Sequence, residues 1–204
     1  MFDVLDRCLM QAERPSDELN ALAKQAGFQE YPYALLLEQK RTEQSPKHHP
    51  EGSVWNHTLL VVDEAAKRKQ FSRNPRVLMW AALLHDIGKP ATTKLRKGRI
   101  TAYDHDKKGT DLAREFLTAV TKEPELIEAV PWLVRYHMQV LYVVKKLPYQ
   151  DIPGMQAHTD LQELALLCYC DRMGRLGAEE ESERGDLLVF LKRCGEDHIP
   201  DWLS

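Results

Sequence analysis

Cysteine is scarce: the 204 residues hold four, Cys8, Cys168, Cys170 and Cys194, and no CxxC pair. This excludes a zinc knuckle and a thioredoxin-like redox site. The remaining reading is of reduced core thiols in a cytoplasmic chain. Long apolar runs are also missing. The longest, Val77 to Leu84, falls far short of the ~20 residues a membrane-spanning helix needs. The opening "MFDVLDRCLM" has no basic segment followed by an apolar stretch, so no secretory signal is expected there. There is no excess of either charge: 28 basic against 31 acidic side chains leave a net charge of −3. A chain so balanced has no general affinity for nucleic acid or an acidic membrane. No aromatic-studded platform for single strands stands out either.

What is present is ordinary globular composition, 43% hydrophobic and 29% charged, in helical periodicities. Helices are predicted over a short N-terminal stripe, from Pro15 towards Gly27, over Tyr33–Arg41, Asn56–Lys69, Arg76–Asp86, Lys108–Val120, Glu123–His137, Asp160–Leu176 and Ser182–Cys194. The Arg76–Asp86 segment is apolar nearly all round and belongs in the core. The one β-like feature is Thr93–Tyr103, with Lys97-Gly98 as its turn. Its basic residues Lys94, Arg96, Lys97 and Arg99, followed by Lys107 and Lys108, fit either a solvated hairpin or a guide for a nucleotide or an RNA end. The fold class is therefore all-α with one short hairpin. Residues 1–44 are expected to be accessory helices on the domain formed by residues 45–204.

Histidine and aspartate recur where helices begin or end. His57 opens a helix after "GSVWN", and His85-Asp86 closes the buried one in "AALLHDIGKP". His105 follows the hairpin, His137 ends "PWLVRYHM", and Asp171 lies in "LALLCYCDRMGR". Burying a carboxylate in such company is costly unless it is paired or coordinates an ion. Four imidazoles and two carboxylates make an N/O donor set suited to divalent metals, with Mn, Fe, Co, Ni, Mg and Zn all acceptable. Asp86 suits a bridge between two ions, and His85 a terminal ligand.

The order His57, His85-Asp86, Asp171 resembles the metal signature of the HD-domain phosphohydrolase superfamily, an all-helical fold. The stretches "HPEGSVWNHTLLVVDEAA", "ALLHDIGKPATT", "GRITAYDHDKKGTDLAREFL", "LVRYHM" and "CDRMGR" resemble, in order, the HD domain attached to bacterial CCA-adding tRNA nucleotidyltransferases. The glycine-serine turn and paired aspartates of the nucleotidyltransferase head are not found in residues 1–44, so nucleotide addition is not expected of this chain. Asp104 stands where these relatives usually have glycine.

The resemblance implies that His57, His85, Asp86 and Asp171 hold one metal and that His105 and His137 complete a second site. It implies hydrolysis of a phosphomonoester or phosphodiester, in a nucleotide or at an RNA end, by metal-activated water. Asp86 and Lys89 would act in catalysis. Lys89, Arg172 and Arg175 would contact substrate phosphate. Neither DNA nor a membrane is expected as a partner. The competing reading is a non-catalytic nucleotide- or RNA-binding module that keeps the metal site as a structural clamp.

Overall fold

The computed structural model describes residues 1–203. Its helices are α1 (Phe2–Gln11), α2 (Pro15–Leu22), α3 (Ala34–Glu38), α4 (Val54–Arg68), α5 (Pro75–Leu84), α6 (Lys89–Thr92), α7 (His105–Val120), α8 (Pro124–Tyr136), α9 (Gln139–Val144), α10 (Ile152–His158), α11 (Leu161–Met173) and α12 (Glu180–Arg193). The strands β1 (Lys94–Arg96) and β2 (Arg99–Thr101) form an antiparallel hairpin with Leu95 opposite Ile100 and Arg96 opposite Arg99. Among the described residues no helix is long and apolar enough to cross a membrane.

The helix starts follow from their caps. Ser53 accepts from the Asn56 amide, so α4 begins at Val54 rather than at Asn56. Asn74 Oδ1 accepts from the Val77 amide while Pro75 occupies the first turn of α5, a position where proline gives up nothing. Asp160 caps α11 through the Gln162 and Glu163 amides. Helix α8 runs through Pro131. The short helices α9 and α10, unforeseen in the sequence, fill the connection from α8 to α11. Six residues of α9 are too few to show a 3.6-residue period.

Helix α5 is the centre. Every residue from Val77 to Leu84 is buried, and α1, α4, α8 and α11 pack around it. Residues 1–44 share this core. Phe2 stacks on Trp80 at 5.2 Å, and Asp6 Oδ1 accepts from both Trp80 Nε1 and Arg76 Nε at 2.8 Å. Asp63 Oδ2 accepts from the Ser16 hydroxyl at 2.6 Å, which ties α2 to α4.

Two glycines let the helices that carry the histidines come close. A Cβ on Gly88 would lie 2.1 Å from the His105 carbonyl oxygen and 2.5 Å from the Gly109 nitrogen. A Cβ on Gly174 would lie 2.6 Å from Val61 Cγ2, one turn beyond His57 on α4.

Candidate metal centre

The ends of α5, α8 and α11 and the starts of α4 and α7 meet in one cluster. His57, His85, Asp86, His137 and Asp171 are all at most 5% exposed, and His105 only slightly more. Asp86 lies at its middle and divides it. Its Oδ2 faces His85 Nε2 at 3.2 Å and His57 Nε2 at 3.8 Å. Its Oδ1 faces His105 Nε2 at 3.5 Å and His137 Nε2 at 3.8 Å. Asp171 Oδ1 closes the first half, 2.9 Å from His57 Nε2. Two groups of three donors result around Asp86, His57 with His85 and Asp171, and Asp86 with His105 and His137, and a third, His49 with Glu51 and His57, adjoins them.

The backbone sets the tautomers. A carbonyl oxygen can only accept, so a ring nitrogen bonded to one must carry a hydrogen. His85 Nδ1 donates to the Ala82 carbonyl (2.8 Å), His105 Nδ1 to Ala102 (2.7 Å) and His137 Nδ1 to Val134 (2.6 Å). Each neutral ring therefore turns a bare Nε2 lone pair inward. His85 Nε2 and Asp86 Oδ1 find no hydrogen-bond partner in the protein, and Asp86 Oδ2 has only the Lys89 ammonium beside it. Burying such atoms without a partner is costly. Lone pairs and anionic oxygens converging in a buried pocket fit a divalent cation, and the donor set is right for one.

Charge states agree. Burial alone would raise the Asp86 carboxyl, but Lys89 and His85 outweigh it and hold it well below the usual carboxylate range. Asp171 is likewise opposed by burial and held low by Arg175 and His57. Burial, followed by the neighbouring His105, pushes His137 down to about 4. Burial also lowers His105. For His85, burial is outweighed by Asp86 at its side, and the ring is raised. Anionic Asp86 and Asp171 beside the lowered rings of His105 and His137 are in the protonation state a metal requires, whereas His85 must give up the proton that Asp86 favours.

Lys89 Nζ lies 2.7 Å from Asp86 Oδ2 and donates to Gln44 Oε1 at 2.6 Å. Arg175 spans both oxygens of Asp171 at 3.2 Å. Arg172 borders the same small depression as His137, Asp171 and Arg175, but its guanidinium is engaged by Glu183 and Asp186 of α12. Glu183 and Asp186 thus tie α12 to α11. Asp104 adopts the left-handed conformation, φ 60°, and its carboxylate pairs with Lys107 in solvent. Glycine suits such a position, and the aspartate adds no donor to the cluster.

Glu51 was not singled out in the sequence. Its Oε1 lies 2.9 Å from His49 Nδ1 and 3.0 Å from His57 Nδ1, the latter an electrostatic contact without hydrogen-bond alignment. The ring of His49 meets that of His57 edge-on at 4.8 Å. Burial opposes ionisation of Glu51, yet its two histidine partners hold it well below the usual range. The available signal was the acid in "HHPEGSVWNH", six residues before a candidate ligand.

An all-helical bundle with an adjacent His-Asp pair at the end of its central helix defines a class, and this chain belongs to it: residues 54–175 match the HD domain family. Within that family the chain is similar to Multifunctional CCA proteins. It is 30% identical over 142 residues to that of Actinobacillus pleuropneumoniae serotype 5b, covering 67% of this chain and 34% of the relative. It is 32% identical over 144 residues to that of Aromatoleum aromaticum, covering 67% and 34%. It is 26% identical over 211 residues to that of Verminephrobacter eiseniae, covering 97% and 48%. The chain thus spans between about a third and about half the length of these relatives.

Proposed function

We propose that this chain is a metal-dependent phosphohydrolase that cleaves a phosphomonoester or phosphodiester of a nucleotide or an RNA end. One observation carries the reading: Asp86 turns one oxygen to each of two donor groups, and the bare Nε2 atoms of His85, His105 and His137 surround it. His57, His85 and Asp171 with Asp86 Oδ2 would hold one ion, and His105 and His137 with Asp86 Oδ1 a second. When bound, a divalent ion supplies an acidified water and neutralises phosphoryl charge. The chain's own groups do the rest. The carbonyls of Ala82, Ala102 and Val134 fix three imidazoles in the ligating tautomer. Lys89, anchored by Gln44, presents an ammonium beside Asp86 for a phosphoryl oxygen or the leaving group. Arg175, 32% exposed along its side chain, offers a planar guanidinium at the rim.

The resemblance to the HD domain of CCA-adding enzymes puts 2′-phosphates and 2′,3′-cyclic phosphates of nucleotides and RNA ends first among candidate substrates. The burial of His57, His85 and Asp86, each at most 1% exposed, favours a second reading, an ion that clamps a nucleotide- or RNA-binding module without turnover.

The experiment that separates them loads the protein with Mn, Co, Ni, Mg or Zn. Each form is then assayed on p-nitrophenyl phosphate, bis-p-nitrophenyl phosphate, 2′-AMP and 2′,3′-cyclic AMP. Hydrolysis that is lost in a folded Asp86→Ala variant is the expected result. Bound metal with no turnover on any phosphoester would overturn the hydrolase and leave the clamp.

A further inference from the structure

The hairpin carries a charge that folding does not explain. From Ile87 to Tyr103 the sequence has five cations, Lys89, Lys94, Arg96, Lys97 and Arg99, and no acid, within a chain of net charge −3. Among the described residues no carboxylate lies within ion-pair distance of Lys94, Arg96, Lys97 or Arg99. Arg96 and Arg99 are direct cross-strand partners. Like charges placed directly opposite each other destabilise a strand pair, so this arrangement weakens the hairpin that contains it.

Nor does the hairpin serve the core. All of β1 is exposed, Leu95 at 74%, and neither Leu95 nor Ile100 joins the buried cluster. Tyr103 is 62% exposed and has the Arg96 guanidinium 5.0 Å above its ring. The nearest acids are engaged elsewhere, Asp104 with Lys107 and Asp106 with Arg135 at 2.5 Å.

Both ends of the hairpin connect to residues of the candidate metal centre. Its first strand follows α6, which begins at Lys89, and its second leads through Ala102, whose carbonyl holds His105 Nδ1. A polyanion lying along the hairpin would therefore point its end towards the side of the cluster that holds Lys89 and His105.

We propose that the hairpin Lys94–Thr101 docks the phosphodiester backbone of a single-stranded RNA whose end enters the Asp86 cluster. Lys94, Arg96 and Arg99 lie on one face of the ladder by strand alternation, with Lys97 at the turn, and form the phosphate-contacting row. Tyr103 offers one stacking face for a base. The choice of RNA as the strand rests on the phosphohydrolase reading above; the charge complementarity does not.

The test uses a variant in which Arg96→Gln, Lys97→Asn and Arg99→Gln are combined. Lys97 has φ 48°, and asparagine before glycine suits that turn, so the hairpin is kept. Binding of a short fluorescein-labelled single-stranded RNA to the full chain is followed by anisotropy without added metal, across a salt series. The wild type should bind with a salt slope that the variant reduces by about 2, at about 0.7 per lost phosphate contact. Affinity at low salt should fall by at least about tenfold, while hydrolysis of p-nitrophenyl phosphate stays unchanged. No RNA binding by the wild type, an unchanged slope in the variant, or preference for DNA of the same sequence would overturn the proposal. RNA binding through the hairpin without turnover of any phosphoester would refute the hydrolase and leave the docking surface standing. Turnover of p-nitrophenyl phosphate without RNA binding would do the reverse.

Discussion

His105 Nε2 and His137 Nε2 lie 3.1 Å apart, and each ring has already committed its Nδ1 hydrogen to a backbone carbonyl. Both rings are lowered by burial, so both are neutral at neutral pH. Two neutral imidazoles then meet lone pair to lone pair beside an Asp86 oxygen that lacks a hydrogen bond. Such a contact is repulsive on its own and becomes favourable around a shared cation.

From this contact we expect His105→Ala and His137→Ala each to reduce bound metal from two ions per chain to about one. The ion held by His57, His85 and Asp171 should remain. Plasma mass spectrometry of protein dialysed against a limiting chelator reads the ratio directly. An unchanged metal content in both variants would make the centre mononuclear and return these histidines to substrate contact or proton transfer.

Glu51→Gln keeps the shape of the side chain and removes the charge facing His57 Nδ1. Partners that orient a metal-bound histidine are commonly worth about 10–100-fold in metal affinity. A loss of at least about tenfold in affinity for the ion at His57 is expected, with the helical circular dichroism unchanged. Competition against a chromophoric chelator measures it. Equal affinity in the variant would confine Glu51 to holding the loop through His49.

That His57, His85, Asp86, His105, His137 and Asp171 would come together was legible in the sequence because most of them sit where a helix begins or ends, and burial of a titratable group there demands a partner. The longer helices were legible too: α5 shows as an apolar run started by Pro75, and α4, α7, α8, α11 and α12 are long enough for a pattern to repeat. Helices α9 and α10 are not, and their packing against neighbours decides their state. Glu51 escaped notice because it lies in an irregular loop, where no periodicity marks a residue as buried. Arg172 looked like a phosphate ligand by its nearness to Asp171, but position along a chain does not give direction. Its side chain turns to Glu183 and Asp186.

Gly88→Ala should be damaging although its backbone, at φ −80° and ψ −17°, suits any residue. The cause is space: the new methyl would meet backbone atoms of His105 and Gly109, which cannot rotate away. Overpacking of this kind costs about 1–3 kcal/mol, and relief requires α7 to move from the end of α5. We expect a lower melting temperature together with loss of the ion held by His105 and His137. A variant that melts lower yet binds two ions would show that the strain is relieved elsewhere than at α7.

The last expectation concerns alkaline pH and lies away from the metal centre. Burial pushes the thiols of Cys8 and Cys194 up from 9.0, to about 12 and about 11. Both side chains are free and buried. Unfolding releases them to ordinary values, so above pH 9 the unfolded chain sheds protons that the folded chain keeps. The unfolded state then binds fewer protons, and stability falls with rising pH. The contribution is fully present below pH 9 and is lost as pH climbs towards the folded values. At pH 10 each thiol should lower stability by about 1.4 kcal/mol relative to neutral pH. Urea unfolding under reducing conditions at pH 8 and pH 10 reads the decline. In a Cys8→Ala, Cys194→Ala variant the starting stability will be lower through lost packing, but the drop between the two pH values should shrink by roughly 2–3 kcal/mol. A drop as large as that of the unmodified chain would assign the alkaline loss to other groups.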